Sequence, residues 1–152
     1  MAFGTNSKVF AYSVLAVGQN GVKYSSDGYN VALYGNSGTP DNTVTTAALT
    51  TYGSTGSQWI TGNEVSGTGY NVGGASVSPT QWTQTSNIVT FGSTGTPQWT
   101  SASFTSYGCL VYDNTQTKVG LCFNAFGGPQ TVTSGTFTIT WFSGNQIASF
   151  TC

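Results

Sequence analysis

The chain has 152 residues, enough for one domain with a substantial core, and carries a formal net charge of -1. Only 5% of its residues are charged, against about 25% in ordinary soluble domains. Three scattered lysines, with no histidine or arginine, cannot line a phosphate-binding groove or hold an anionic membrane, so neither nucleic acid nor membrane is an expected partner.

Residues 1–7 are mostly small and polar and read as a flexible arm ahead of a single β domain spanning residues 8–152. Ser7 to Val17 is apolar on both faces, which fits a buried strand or a short helix; the breaker Gly18-Gln19-Asn20-Gly21 and the clear strand beyond it favour helix. No basic region precedes this stretch and it is too short to span a bilayer, so no targeting or membrane segment is expected. Tyr29 to Tyr34 reads as a strand, Asn36 to Thr43 as a loop, and Thr46 to Tyr52 as ambiguous. Thr51 to Trp59 and Thr90 to Trp99 are similar Gly/Ser/Thr stretches that each end on a tryptophan, as strand-exit loops that anchor the ring. Between them, Glu64 to Gly74 is dense in glycine. It lacks the third glycine of a dinucleotide fingerprint and the Lys-Ser/Thr of a P-loop, so it reads as a loop needing positive φ or close backbone approach. Ala75 to Val77, Ser86 to Phe91 and Gln98 to Thr105 follow as strands.

The last third predicts two hairpins. Centring a turn on Thr115-Gln116 sets Asp113 against Lys118, Tyr112 against Val119 and Cys109 against Cys122. A two-residue turn at Gly144-Asn145 sets Trp141 against Ala148, Ile139 against Phe150 and Phe137 against Cys152, with every pair on that face apolar. Gly127-Gly128-Pro129 is expected to separate the hairpins. Short strands with closely spaced turns predict a mainly β fold: one antiparallel β-sandwich or barrel, jelly-roll-like, with a short N-terminal helix.

The residue types for catalysis are scarce. Acid–base work usually takes histidine or a close carboxylate pair. The acids Asp27, Asp41, Glu64 and Asp113 lie far apart in sequence, although Asp41 and Glu64 are a conceivable pair for glycoside cleavage. Three cysteines do not make a zinc site, and no calcium loop is present. The reading is a non-enzymatic protein without cofactor or metal, its cysteines buried free thiols rather than a disulfide.

Glu64-Val65-Ser66-Gly67-Thr68-Gly69-Tyr70 followed by Gly73-Gly74 resembles the "EVSGTGYTAGG" segment of small virion proteins of tailed bacteriophages. Tyr24-Ser25-Ser26-Asp27, Val31-Ala32-Leu33-Tyr34 and Thr39-Pro40-Asp41 are similar to the opening of that family. Leu110-Val111-Tyr112-Asp113, Val119-Gly120 and Gly135 to Trp141 are similar to its close. The ordered set covers residues 20–142; the long loop before Trp59, the missing charges and the three cysteines depart from the pattern.

The resemblance implies a structural virion component, a capsid decoration or cement protein assembled in the bacterial cytoplasm. Its implied partners are the major capsid protein and copies of itself in a homo-oligomer. Candidate contact residues are Trp59, Tyr70, Trp82 and Trp99 as aromatic anchors, with Lys8 in the arm as a lattice tether. The alternative is a tail or fibre component whose tryptophan-bearing loops stack on carbohydrate.

Overall fold

The computed structural model describes residues 8–19, 21–35, 50–78, 80–116 and 118–152. The expected arm over residues 1–7, the loop from Asn36 to Thr43 and most of the ambiguous stretch that follows it lie outside the described residues. Among the described residues the fold is mainly β, with two antiparallel sheets and a short helix near the start. The strands are β1 (Lys8–Val9), β2 (Tyr29–Tyr34), β3 (Ala75–Val77), β4 (Thr80–Thr85), β5 (Ile88–Ser93), β6 (Gln98–Asp113), β7 (Gly120–Thr138) and β8 (Gln146–Thr151); the helix α1 is Ala11–Gly18. One sheet runs β1-β7-β6-β2-β3 and the other β4-β5-β8. The sheets pack across a common core, and no pairing among the described residues closes them into a barrel.

The larger sheet is buried on both faces, which explains why β2 and the end of β6 read as continuous apolar runs. Val31, Leu33, Cys109 and Val111 point into the core shared with Phe91, Ile147 and Ala148 of the smaller sheet. The alternate residues Ala32, Tyr34, Leu110 and Tyr112 form a second cluster with Phe10, Tyr52, Trp59 and Phe123. No helix among the described residues is long and apolar enough to cross a membrane.

The predicted hairpins are corrected in instructive ways. β6 and β7 are one long bent ribbon rather than two separate hairpins. Their register sets Cys109 against Asn124 and Val111 against Cys122, two residues from the expected pairing. A two-residue shift preserves which side chains share a face, so the burial expectation survives while the Cys109–Cys122 opposition does not. Both thiols are free and buried, and Cys152 is free and exposed. Burial pushes the Cys122 thiol up to about 12 and holds Cys109 well above its ordinary value, so both stay protonated. The Gly127-Gly128-Pro129 breaker does not end the strand. Phe126 to Pro129 stand opposite Tyr107 alone, between the pairs Ser106–Gln130 and Gly108–Ala125, and form a wide bulge.

The final hairpin is overturned. β8 pairs with β5, setting Phe91 against Ala148 and Val89 against Phe150. Phe137 pairs with Trp99 on β6, and the turn is closed by a Phe142–Gln146 bridge, one residue from the expected Phe142–Ile147 pair. The turn lies where expected, with Gly144 and Asn145 both at positive φ, but it hands the chain from one sheet to the other.

Candidate functional site

The glycine-dense segment is built around Glu64. Its backbone bridges Tyr34, and Val65 N–H donates to the Leu33 carbonyl at 3.0 Å, so the segment begins as an extra partner for β2. The Glu64 side chain is only 8% exposed. Its carboxylate accepts from the Tyr52 hydroxyl at 2.7 Å, the Tyr70 hydroxyl at 2.5 Å and Gly73 N–H at 3.0 Å. Tyr70 in turn accepts from Leu33 N–H at 2.9 Å, and Tyr112 donates to the Gly73 carbonyl at 2.9 Å. The Tyr52 and Tyr112 rings stack with centroids 4.2 Å apart, and the Lys118 ammonium stands 5.5 Å from the Tyr52 centroid.

Two glycines let the segment lie flat on the strands beneath. A Cβ on Gly74, at φ +72°, would overlap the Val31 carbonyl, and one on Gly67 would overlap the Ser103 carbonyl. Burial, reinforced by the Glu64 charge, pushes Tyr52 and Tyr70 far above the ordinary tyrosine range. They act as fixed donors, and the carboxylate is enclosed by donors from its own fold. Chemically the arrangement is a strut that clamps residues 64–74 to β2 and β6.

A second polar cluster sits at the β6–β7 turn. Asp113 is fully buried, and Oδ1 accepts from Thr115 N–H at 2.7 Å and Gln116 N–H at 3.4 Å; Oδ2 has no hydrogen-bond partner among the described residues. The expected rim pair with Lys118 gives way to this turn, and Lys118 reaches the Asn114 side-chain oxygen at 3.4 Å. Asp27, also buried, accepts from Lys23 N–H at 2.7 Å and Gln116 Nε2 at 3.3 Å. Burial and the neighbouring Asp27 charge raise the Asp113 carboxyl above its ordinary 3.8, against the lowering effect of the two turn N–H bonds. The folded state therefore holds that proton to higher pH than the unfolded chain, and stability falls as pH rises from the ordinary value through the raised one. Asp113→Asn keeps an oxygen for the turn and supplies a donor towards Asp27. Denaturant titrations across that window should show the variant increasingly favoured over the parent as pH rises, by about 1.4 kcal/mol per unit of the native shift, then a constant difference.

The sequence-predicted contact residues separate sharply. Trp59 is fully buried between Phe10, Tyr34 and Phe123, and Trp99 is 5% exposed in the main core. Both are corrected from surface anchors to core residues: Trp59 because its loop folds inward, Trp99 because it lies within β6, paired with Phe137, rather than in a loop. Tyr70 is half-buried, its hydroxyl on Glu64 and its ring against Trp99 and Phe104. Trp82 is 40% exposed; its ring stacks on Tyr24 with centroids 4.4 Å apart. Lys8 is described through its backbone, paired with Phe123 at the edge of the larger sheet.

Tyr52 was missed as a donor to Glu64, and Tyr112 as the ring that stacks on Tyr52 and donates to the Gly73 carbonyl. The available signal was the charge itself: a chain with four acids that keeps one amid glycines has it bonded. Asp41, the other half of the conceivable glycosidase pair, lies outside the described residues. Comparison of the chain with protein-family models, with curated proteins and with solved structures returned no match.

Proposed function

We propose that this chain is a non-enzymatic structural protein of a tailed-phage virion, a decoration protein that binds the major capsid protein lattice. The observation that carries the reading is the ordered resemblance over residues 20–142, centred on Glu64 to Gly74. The residues that carry it have physical work in this fold: Glu64 and Tyr70 bond each other, Gly67 and Gly74 admit close backbone contact, and Val31 and Leu33 fill the core. Such residues are what relatives would share if they shared a fold while their surfaces diverged.

Composition supports the same reading. A surface rich in hydroxyls and amides and poor in charge suits wet, repeated interfaces, where symmetry turns modest single contacts into firm attachment. The alternative of carbohydrate stacking between the Trp59 and Trp99 loops needs two open rings, and both are buried. Cryo-electron microscopy of particles from the source of the gene tests the proposal. Density for this fold at regular positions on the head shell is the expected result. Density only on the tail, or on no part of the particle, overturns it.

A further inference from the structure

The smaller sheet has an edge of unusual character. Its strands read TQWTQT, IVTFGS and QIASFT, without one ionisable residue. All seven charged residues of the chain lie elsewhere: Lys8, Lys23, Asp27, Asp41, Glu64, Asp113 and Lys118. β4 is an outer strand of this sheet, and it pairs with β5 in unbroken register from Thr80 to Thr85. No backbone hydrogen bond reaches its other edge among the described residues. Natural sheets guard such edges with lysine, internal proline, bulges or a covering segment. Inside β4 there is no charge, no proline and no bulge.

One side chain marks this edge further. Trp82 lies on the core-facing side of β4, opposite Phe91, with Tyr24 stacked on it and Phe150 at 5.7 Å. It nevertheless keeps 40% of its surface open. Along the outer face, Thr83, Thr90 and Ser149 form one cross-strand row and Thr85, Ile88 and Thr151 the next.

We propose that β4 is a dimerisation edge, pairing antiparallel with β4 of a second copy about a two-fold axis perpendicular to the sheet. The occupant follows from symmetry and charge. Around such an axis a residue meets itself or its near neighbours, so a charge on the strand would oppose its own copy. A strand with no charge in it or beside it is free of that penalty. The perpendicular axis keeps both core faces on one side and brings the two Trp82 rings opposite or diagonal to each other. Their open surface is then covered by the partner ring. The result is a continuous six-stranded sheet, built from the three strands of each copy. This goes beyond the virion reading and does not rest on it.

The test compares the solution mass of the full chain, by light scattering over a concentration series, with that of two variants. Thr83→Lys sets two like charges near the axis; Ile88→Lys adds the same charge to the same outer face on the inner strand β5. The expected result is a concentration-dependent dimer for the parent and for Ile88→Lys, and a monomer for Thr83→Lys. Hydrogen exchange on the unmodified protein needs no variant: β4 amides should gain protection as concentration rises. A parent that stays monomeric throughout, a dimer indifferent to Thr83→Lys, or β4 exchange that ignores concentration overturns the proposal. So does a dimer lost on deleting residues 1–7, which would identify the arm of another copy as the occupant.

Discussion

Replacing Glu64 by alanine should destabilise the protein by about 3 kcal/mol or more, since three donors lose one acceptor and each unpaired buried group costs roughly 1–3 kcal/mol. Those donors are the hydroxyls of Tyr52 and Tyr70 and the N–H of Gly73. Glu64→Gln is the sharper test because it keeps shape and removes charge. The Tyr70 hydroxyl and Gly73 N–H share Oε2, while Tyr52 uses Oε1. Tyr70 accepts from Leu33 N–H and sends its own proton to Glu64. With the amide oxygen kept towards Tyr70 and Gly73, the NH2 faces the Tyr52 hydroxyl, which must turn from donor to acceptor and leave its proton unpaired. The glutamine variant should therefore lose less than the alanine variant but remain measurably below the parent. Denaturant midpoints give the magnitude, and hydrogen exchange should show the loss of protection centred on residues 64–74 and the facing β2. Were Glu64→Gln as stable as the parent, the strut would not depend on an acceptor-only side chain, and the account of the segment would fail.

The same residues explain how far the sequence could be read. The glycine-dense stretch was legible as close backbone approach because glycine has few other uses at such density, and Gly67 and Gly74 bear that out. β2 and β3 were legible as strands; over Ser7 to Val17 the apolar pattern left strand and helix open with a lean to helix, and the structure holds both, β1 at Lys8–Val9 and the helix at Ala11–Gly18. β4 was not: its only apolar residue is Trp82, so an edge strand facing water looks like a loop. The last hairpin misled for another reason. The alternation of Phe137, Ile139 and Trp141 reports burial in the main core, and burial does not say which strand lies alongside. β8 alternates just as well against β5, and only the three-dimensional hand-over at Gly144-Asn145 decides between the two. The tryptophans failed as site residues on the same ground. Three sit in similar Thr/Gln contexts, yet Trp59 and Trp99 face inward and Trp82 sits on an edge. Sequence gives the ring; the surrounding layers decide whether it meets solvent.

Trp59 is where that distinction has its largest expected effect. Trp59→Ala should cost about 3–5 kcal/mol, the range for removing a large aromatic from a closed core. The ring is fully buried, with Phe123, Tyr34 and Phe10 centroids at 4.9, 5.2 and 5.6 Å. These neighbours come from β7, β2 and the residue just before α1, so the cavity would loosen the whole cover on that face of the larger sheet. Local hydrogen bonds add to the loss, because Tyr34 donates its hydroxyl to the Trp59 carbonyl at 2.8 Å and needs that backbone in place. One detail makes the series discriminating. The indole N–H is buried and has no hydrogen-bond partner among the described residues, a cost that the parent bears there. Trp59→Phe removes that cost along with part of the ring, so it should lose far less, on the order of 1.5 kcal/mol or below. Trp82→Ala, on a half-open edge, should lose less than Trp59→Ala when measured at dilution. Thermal and denaturant unfolding of the three variants reads the order directly. Trp59→Ala with the stability of the parent would mean that the ring is not enclosed, and would return its loop to the list of surfaces able to grip a partner.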